Sequence, residues 1–288
     1  MSKSDSLILK GRIETLKLRV KRKTIGKAAN LYRRIKWPMY RAYPYANVYH
    51  CCTQKTASQW VKNVLKDPVV YRYTGLLAWP HEAVGLNRAK LPSALPRGTF
   101  GAHLYIDFST FQKLKKPERY KAFFILRDPR DLVVSWYFSA RYSHTLVTVI
   151  PEMRAALRDM ELKQGLIYVI DKIRSFGTFD AMRSWVTADT DTRRVTVFKY
   201  EKLAENSDAF LEELFNFLEI EMLSPDFEAV CQRFRYKSLT RGREQGKENI
   251  NSHFRKGIAG DWQNYFDEEI TACFEAATGD LLSVLGYR

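Results

Sequence analysis

The feature that most constrains the fold is a repeated change of pattern, in which a short apolar run is followed directly by helically spaced apolar residues. The clearest instance is the segment FFILRDPRDLVVSWY at 123–137. Its apolar run ends at Leu126, Asp128 can cap a helix, and Pro129 suits the first helical position. Strands that lead into helices in this way are typical of α/β proteins with a mostly parallel sheet.

The same pattern places the other elements. Core strands are predicted at 47–52, 121–126 and 195–198. Helices are predicted to begin near Ser58 and Pro129 and to cover 208–218 and 268–285. The stretch 240–260 contains several glycines among many charges, which predicts a long mobile loop. We therefore expect a three-layer α/β fold, with helices flanking a central sheet, over residues 46–288.

The positive charge of the chain is concentrated at its start. The 288 residues carry a net charge of +15, but residues 1–45 hold 13 Lys and Arg against Asp5 and Glu14. This predicts a basic, weakly amphipathic helical arm at 1–45, which is either solvated or in contact with an anionic membrane or a polyanionic acceptor. Because the remaining residues are nearly balanced, no nucleic-acid partner is expected.

The cysteines and the hydropathy indicate the cellular compartment. Cys51, Cys52, Cys231 and Cys273 lack the spacing of metal ligands, and no apolar run reaches the roughly 18 residues that a bilayer requires. Four cations, at Lys10, Arg12, Lys17 and Arg19, interrupt any secretory leader. A cytoplasmic protein is expected, either free or peripherally associated with a membrane.

The first segment with recognisable chemistry is QKTASQW at 54–60, between a predicted strand and a helix. Backbone N–H groups and the helix dipole converge at such a turn, and Lys55, Thr56 and Ser58 add donors, so it predicts an anion site. A nucleotide triphosphatase loop would require glycine at positions 49 and 54, where this chain has Tyr49 and Gln54. The alternative is a strand-to-helix turn with polar capping residues.

Two further segments carry cations. Arg127 follows a predicted strand at the edge where open α/β sheets bind ligands, and Ser135 lies in the next helix. The alternative for Arg127 is an ion pair with Asp128 or Asp131. In HFRKGIAGDWQNYF at 253–266, Arg255 and Lys256 precede a glycine that lets the backbone approach a ligand closely.

Taken in this order, the three segments resemble the phosphosulfate loop, the 3′-phosphate motif and the RKGxxGDWxNxF segment of the cytosolic-type sulfotransferases, including the bacterial members. The resemblance extends from about residue 46 to about residue 270. It implies the donor 3′-phosphoadenosine 5′-phosphosulfate (PAPS), the product 3′-phosphoadenosine 5′-phosphate (PAP), and no metal. The acceptor would be a hydroxyl or amine of a small molecule, a lipid or a glycan.

The resemblance also implies roles for individual residues. The 5′-phosphosulfate loop corresponds to Lys55, Thr56, Ala57, Ser58, Gln59 and Trp60, with the tryptophan stacked on adenine. The 3′-phosphate contacts correspond to Arg127, Ser135, Arg255, Lys256 and Gly257. Tyr200 matches a nucleotide-contacting tyrosine, and Tyr236 falls where the family has an adenine-stacking phenylalanine.

His103, in GTFGAHL, stands where the family has its catalytic base, and Lys55 would stabilise the leaving group. Three positions depart from the family pattern. Gly101 replaces a lysine two residues before the histidine, Ala57 replaces a loop glycine, and Gln59 replaces a threonine. The first departure removes one cation, and the other two change the geometry of the loop.

Two other classes of function fit parts of the sequence. A nucleotide kinase or triphosphatase would share the sheet and the anion loop, but the glycine spacing and a magnesium carboxylate are missing. A basic nucleic-acid-binding or membrane-binding protein would use the arm at 1–45 as its main contact.

Overall fold

A computed structural model describes residues 38–40, 42–80, 85–88 and 90–288. Residues 1–37 of the predicted basic arm lie outside this part of the chain. The described residues form an α/β structure around one five-stranded sheet in the order β2-β3-β1-β4-β5, and every pair of neighbouring strands is parallel. The strands are β1 (Asn47–Cys52), β2 (Leu77–Ala78), β3 (Thr99–Tyr105), β4 (Tyr120–Leu126) and β5 (Val195–Lys199).

The helices of the first half are α1 (Ser58–Leu65), α2 (Pro68–Thr74), α3 (Phe108–Lys113), α4 (Pro129–Phe138), α5 (Ile150–Leu157), α6 (Leu162–Ser175) and α7 (Thr178–Val186). The helices of the second half are α8 (Tyr200–Glu205), α9 (Ser207–Leu218), α10 (Ser224–Phe234), α11 (Tyr236–Leu239), α12 (Glu268–Thr278) and α13 (Leu281–Val284). A π-helical turn, Ser139–Ser143, continues α4, and a 3₁₀ turn spans Asp261–Asn264.

The central strands are buried on both faces. Successive side chains of a strand point to opposite faces of the sheet, and each face is covered by its own cluster of packed residues. In β4, Phe124 packs in a core cluster with α4 and α6, whereas its neighbour Phe123 packs in a second cluster with α1 and α9. Two hydrophobic cores therefore enclose the sheet. This arrangement confirms the predicted three-layer α/β fold.

The predicted strands at 47–52, 121–126 and 195–198 are confirmed, as are the helices that begin at Ser58 and Pro129. Asp128 caps α4 as expected, because its side chain accepts a hydrogen bond from the Arg130 amide. One helix differs from prediction: the segment 268–285 is divided into α12 and α13 at Gly279, which has φ 59°. Glycine adopts this left-handed conformation without the steric cost that other residues bear, so it ends the first helix.

The stretch 240–260 contains no helix or strand, in agreement with the predicted loop. It is nevertheless well connected, since the Arg243 guanidinium donates hydrogen bonds to the carbonyls of Lys247, Phe254 and Arg255. Within the described ranges, no helix has both the length and the apolar character needed to cross a bilayer.

Candidate active site

The carboxyl ends of the parallel strands share one edge of the sheet, and a cavity of about 840 Å³ opens there. Ligand pockets typically have volumes of about 300–1,000 Å³. Of the residues predicted to form the site, all except Thr56 line this cavity: Lys55, Ala57, Ser58, Gln59, Trp60, His103, Arg127, Ser135, Tyr200, Tyr236, Arg255, Lys256 and Gly257. Segments far apart in the sequence thus meet in one place.

The loop between β1 and α1 has the backbone of an anion site. Lys55 and Ala57 both have positive φ, 70° and 58°, so the chain turns sharply before α1 begins. Such turns direct successive N–H groups toward one point, at the positive end of the helix dipole. The Thr56 hydroxyl instead donates a hydrogen bond to the Thr53 carbonyl at 2.9 Å, and this contact braces the loop from within.

Lys55 is the cation at the centre of this loop. Its Nζ donates a hydrogen bond to Ser139 Oγ at 2.7 Å. Burial, followed by the charges of Arg127 and Arg255, lowers the pKa of Lys55 to about 7. An anion bound here would reverse these effects, because a negative charge favours the ammonium form.

Arg127 lies immediately after β4 and connects two of the predicted motifs. Its Nη1 donates a hydrogen bond to the Lys55 carbonyl at 3.0 Å, and its guanidinium lies 4.2 Å from the centre of the Tyr200 ring. The predicted alternative, an ion pair with Asp128 or Asp131, is present only as a 4.0 Å approach to Asp131. Asp128 instead pairs with Arg130 at 2.7 Å.

Arg255 and Lys256 reach the same cavity from the long loop. Both pair with the carboxylate of Asp261, which is 1% exposed. Gly257 has φ 75°, and a Cβ there would overlap the ring of Tyr236. Glycine is therefore required at this position by both conformation and space.

The aromatic residues predicted to contact the nucleotide line the cavity in different ways. Trp60 is buried, and its Nε1 donates a hydrogen bond to the Phe234 carbonyl at 2.9 Å. The Tyr236 hydroxyl donates to the Phe254 carbonyl at 3.1 Å, which fixes the ring beside Gly257. In both residues the polar atom of the ring is hydrogen-bonded, so the apolar surface of the ring is available for packing.

His103 lies in β3 at a β-bulge, where the register with β1 shifts. It has φ 45° and is 3% exposed, and its amide donates a hydrogen bond to His50 Nδ1 at 3.2 Å. Bulges redirect side chains at the edges of sheets, and this one turns a buried strand residue toward the cavity lining. Sequence patterns did not predict β3 itself.

Two of the departures from the family pattern have structural correlates. A Cβ at Gly101 would lie 2.8 Å from Leu104 Cδ1 and 3.1 Å from Leu95 Cδ1, so apolar side chains occupy the space beside this position. Ala57 adopts the left-handed conformation that a glycine would adopt more easily. Alanine therefore carries a steric cost at this turn that a glycine would avoid.

Two further histidines, His144 and His253, line the cavity and were not predicted from the sequence. The His144 amide donates to the Ser139 carbonyl at 2.8 Å, so His144 is held near the residue that Lys55 contacts. Burial, followed by the charge of Lys55, lowers the pKa of each imidazole to about 4, which keeps both neutral near pH 7. His144 belongs to no motif, and His253 opens the segment at 253–266, where no role was predicted for it.

The cavity lining contains two groups of contrasting character. We call Lys55, Arg127, Arg255 and Lys256 the cationic lining. We call Leu86, Trp136, Val147, Val149, Ile150 and Phe176 the apolar lining. All ten residues border the same cavity.

This arrangement suits an anionic group held by the cationic lining beside an apolar molecule. Among the described residues, no group of three or more His, Cys, Asp or Glu side chains is arranged to hold a metal ion.

The comparisons with known proteins agree on one family. A model of the sulfotransferase domain matches residues 38–286. The 3-alpha-hydroxysteroid sulfotransferase of Cavia porcellus is 25% identical over 177 residues, and the aligned region covers 56% of each chain. Sulfotransferase 2A1 of Homo sapiens is 20% identical over 240 residues, covering 79% of this chain and 76% of the human enzyme. The chain thus spans about half of the guinea-pig relative and three quarters of the human one.

Among solved structures, mouse sulfotransferase SULT7A1 complexed with PAP superposes with a TM-score of 0.52 at 17% identity. The superposition covers 82% of this chain and 84% of the mouse chain. This likeness establishes a shared fold.

Proposed function

The chain belongs to the sulfotransferase domain family, and we propose that it transfers the sulfuryl group of PAPS to a hydroxyl or amine of an acceptor. The observation that carries the proposal is the meeting of three separate motifs in one cavity. The Lys55 loop, Arg127 and the Arg255–Lys256 pair each contribute a cation there. A donor with phosphates at both its 3′ and 5′ positions requires such paired anion sites.

The family resemblance and the geometry of the cavity support the following donor roles. The backbone of the loop at 54–58, with Lys55, holds the 5′-phosphosulfate, since this loop precedes the N-terminus of α1. The 3′-phosphate is held by Arg127, Ser135, Arg255, Lys256 and the backbone of Gly257. Each charge-assisted hydrogen bond contributes about 1.5–3 kcal/mol, so losing two would cripple donor binding. Trp60, Tyr200 and Tyr236 enclose the nucleoside, with Gln59 at the edge of the loop.

The reaction is an in-line attack of the acceptor on sulfur. His103 accepts the acceptor's proton, the new bond to sulfur forms, and the bond from sulfur to the bridging oxygen breaks. The electron pair of that bond passes to the 5′-phosphate of PAP, where Lys55 stabilises the developing charge. Fixed cations of the protein thus provide the charge stabilisation that the leaving group requires.

The apolar lining supports a small, largely apolar acceptor. Its six side chains offer no fixed charge, so they favour the body of a molecule whose reacting hydroxyl or amine lies near His103. The name of the guinea-pig relative, a hydroxysteroid sulfotransferase, supports this class of acceptor. Lipids with one reactive hydroxyl fit the same description.

The role of the basic segment 1–45 is a separate part of the proposal. We expect it to bind anionic membrane or a polyanionic acceptor, with the catalytic domain otherwise cytoplasmic. Deletion of residues 1–36 followed by liposome cosedimentation tests this, since unchanged binding and activity would show the segment to be inert.

The proposed activity is tested with ³⁵S-labelled PAPS and a small-molecule extract of the protein's own source. We expect label to appear in an organic product, identified by mass spectrometry, at the same rate with and without a metal chelator. Absence of label transfer, together with magnesium-dependent ATP turnover, would instead favour a nucleotide kinase or triphosphatase.

A further inference from the structure

Asp131 makes an unusual pair of contacts for a residue in the first turn of a helix. It lies in α4, and its side chain is 0% exposed. One carboxylate oxygen accepts a hydrogen bond from the Gly260 amide at 2.8 Å, and the other accepts one from the Trp262 amide at 2.9 Å. Both oxygens are thus used to hold the backbone of a segment about 130 residues further along the chain.

These two bonds connect the parts of the cationic lining. Arg127 precedes α4, and Ser135 lies in α4 one turn after Asp131. The segment held by Asp131 begins four residues after Lys256. Asp131 therefore links one half of the proposed 3′-phosphate site to the other half, and it also approaches the Arg127 guanidinium at 4.0 Å.

A second buried carboxylate completes the connection. Asp261 lies between Gly260 and Trp262, the two residues whose amides Asp131 binds. Its side chain accepts hydrogen bonds from Arg255, from Lys256 Nζ at 2.5 Å and from Asn264 Nδ2 at 2.9 Å. A continuous chain of contacts therefore runs from α4 through Asp131, the backbone of 260–262 and Asp261 to the two loop cations.

Only a carboxylate satisfies this arrangement. An asparagine at 131 could accept one of the two N–H bonds through its carbonyl, but its NH₂ group would face the other N–H. Gly260 presents its amide from a turn with φ 75°, so the position of the donor is fixed by the backbone. Burial raises the pKa of Asp131, while the charge of Arg127 and the two amide bonds act in the opposite direction.

We infer that Asp131 is a positioning residue for donor selection, which sets the spacing of the 3′-phosphate contacts by holding residues 260–262 against α4. The inference rests on the proposed function, because it assumes that Arg127, Ser135, Arg255 and Lys256 bind the 3′-phosphate. Asp131 does not touch the donor. Its effect is on the ratio of affinities for nucleotides with and without a 3′-phosphate.

The test uses two nucleotides that differ only in that phosphate, PAP and adenosine 5′-monophosphate (AMP). Their dissociation constants are measured by calorimetry for the full-length wild type, for Asp131→Asn and for the control Asp280→Asn. Asp280 forms an exposed ion pair with Arg183. We expect Asp131→Asn to bind AMP as the wild type does but to lose at least about tenfold in PAP affinity, as when one charge-assisted contact is lost. Asp280→Asn should retain the wild-type ratio.

The outcomes distinguish a failure of the role inferred for Asp131 from a failure of the proposed function. If the wild type prefers PAP and Asp131→Asn keeps the full preference, the inference is wrong while the proposed function stands. If Asp131→Asn weakens PAP and AMP equally, Asp131 is a general structural residue and the inference also fails. If the wild type itself does not prefer PAP to AMP, the proposed function fails.

A second variant covers the case in which Asp131→Asn does not fold. Asp261→Asn leaves the two Asp131 bonds in place but weakens the hold on Arg255 and Lys256. We expect the same selective loss of PAP affinity with AMP binding retained. A wild-type ratio in this variant would overturn the proposed chain of contacts.

Discussion

The cationic lining and the apolar lining border one cavity but are built in different ways. Each cation lies next to a strand end or in a glycine-containing turn, and each is held by a specific partner, such as Ser139 for Lys55 or Asp261 for Lys256. The apolar residues come instead from the segment between β2 and β3, from α4 and from the connections around α5 and α6, and packing alone defines their side chains. Anion recognition here depends on short local segments, whereas the surface for the acceptor depends on how distant segments pack.

This difference explains why the structure supports a specific donor but only a broad class of acceptor for the proposed function. A phosphate requires fixed N–H donors and cations, and few sequences provide these at a strand end. An apolar surface can be made from many combinations of side chains, because hydrophobic contact is not directional. Substitutions in the cationic lining should therefore affect the donor, and those in the apolar lining should affect the acceptor.

The largest effect is expected for Lys55→Ala. Loss of the cation at the leaving group should lower kcat by about 10²–10³-fold, the usual cost of removing one transition-state donor. The rate of label transfer from ³⁵S-labelled PAPS measures this, with the exposed Lys113→Ala as the matched control. A kcat within a few-fold of wild type would remove Lys55 from the mechanism.

His103→Ala should lower kcat by about 10²-fold, since general-base catalysis contributes on this scale. PAP affinity should remain unchanged, because His103 is not part of the cationic lining. The matched comparison is His144→Ala, which removes another imidazole of the same cavity. If His144→Ala proved the more damaging variant, the proton acceptor would have to be reassigned to His144.

Donor binding should depend on pH through Lys55. Its pKa is lowered to about 7 in the ligand-free protein, so Lys55 is largely neutral above pH 7 and must take up a proton to pair with the 5′-phosphate of PAP. PAP affinity should therefore fall by up to about tenfold per pH unit between pH 7 and 9. Calorimetry in buffers of different ionisation enthalpy would detect the proton uptake. A constant affinity over this range would contradict the assignment.

Phe176→Ala tests the apolar lining. Truncation should raise KM for a hydroxysteroid or phenol acceptor by about tenfold, as expected for apolar contacts in a binding pocket. PAP affinity should not change. Leu223→Ala, at a position 68% exposed, serves as the control. An equal loss of donor affinity in Phe176→Ala would show that the two linings are not separable.

The smallest effect is expected for Ala57→Gly. Alanine at φ 58° carries a steric cost that glycine avoids, partly offset by the greater flexibility of glycine in the unfolded chain. We expect a gain of about 0.5–1 kcal/mol in unfolding free energy with PAP affinity retained, measured by chemical denaturation. Destabilisation would show that the strain of alanine at this φ is smaller than the entropy cost of ordering a glycine.

The sequence predicted those parts of the fold that depend on local patterns. Strand β4 and the start of α4 were readable because the continuous apolar run AFFIL and the Asp128-Pro129 pair are local features. Strand β3 was missed because its sequence, TFGAHLY, has no clear alternation, and its conformation depends on pairing with β1 and β2. Tertiary pairing of this kind overrides local propensity.

In the functional site, too, the residues in local motifs were predicted and those that depend on tertiary packing were not. The cations were recognised by the order of three motifs, and the structure places all of them at one cavity. Asp131 and Asp261 were not recognised as partners of this site, since each appeared as one acidic residue within a charged motif. His144 had no motif, and His253 opened the third segment without a predicted role, so only the packing of their loops near Lys55 shows that they share the site.

The central claim is that the cationic lining holds a nucleotide with phosphates at both ends. A crystal structure of the protein with PAP tests it most directly. We expect the 3′-phosphate within hydrogen-bonding distance of Arg127, Ser135 and Arg255, with the 5′-phosphate at the loop around Lys55. A nucleotide bound outside this cavity, or with its 3′-phosphate away from Arg127 and Arg255, would contradict it.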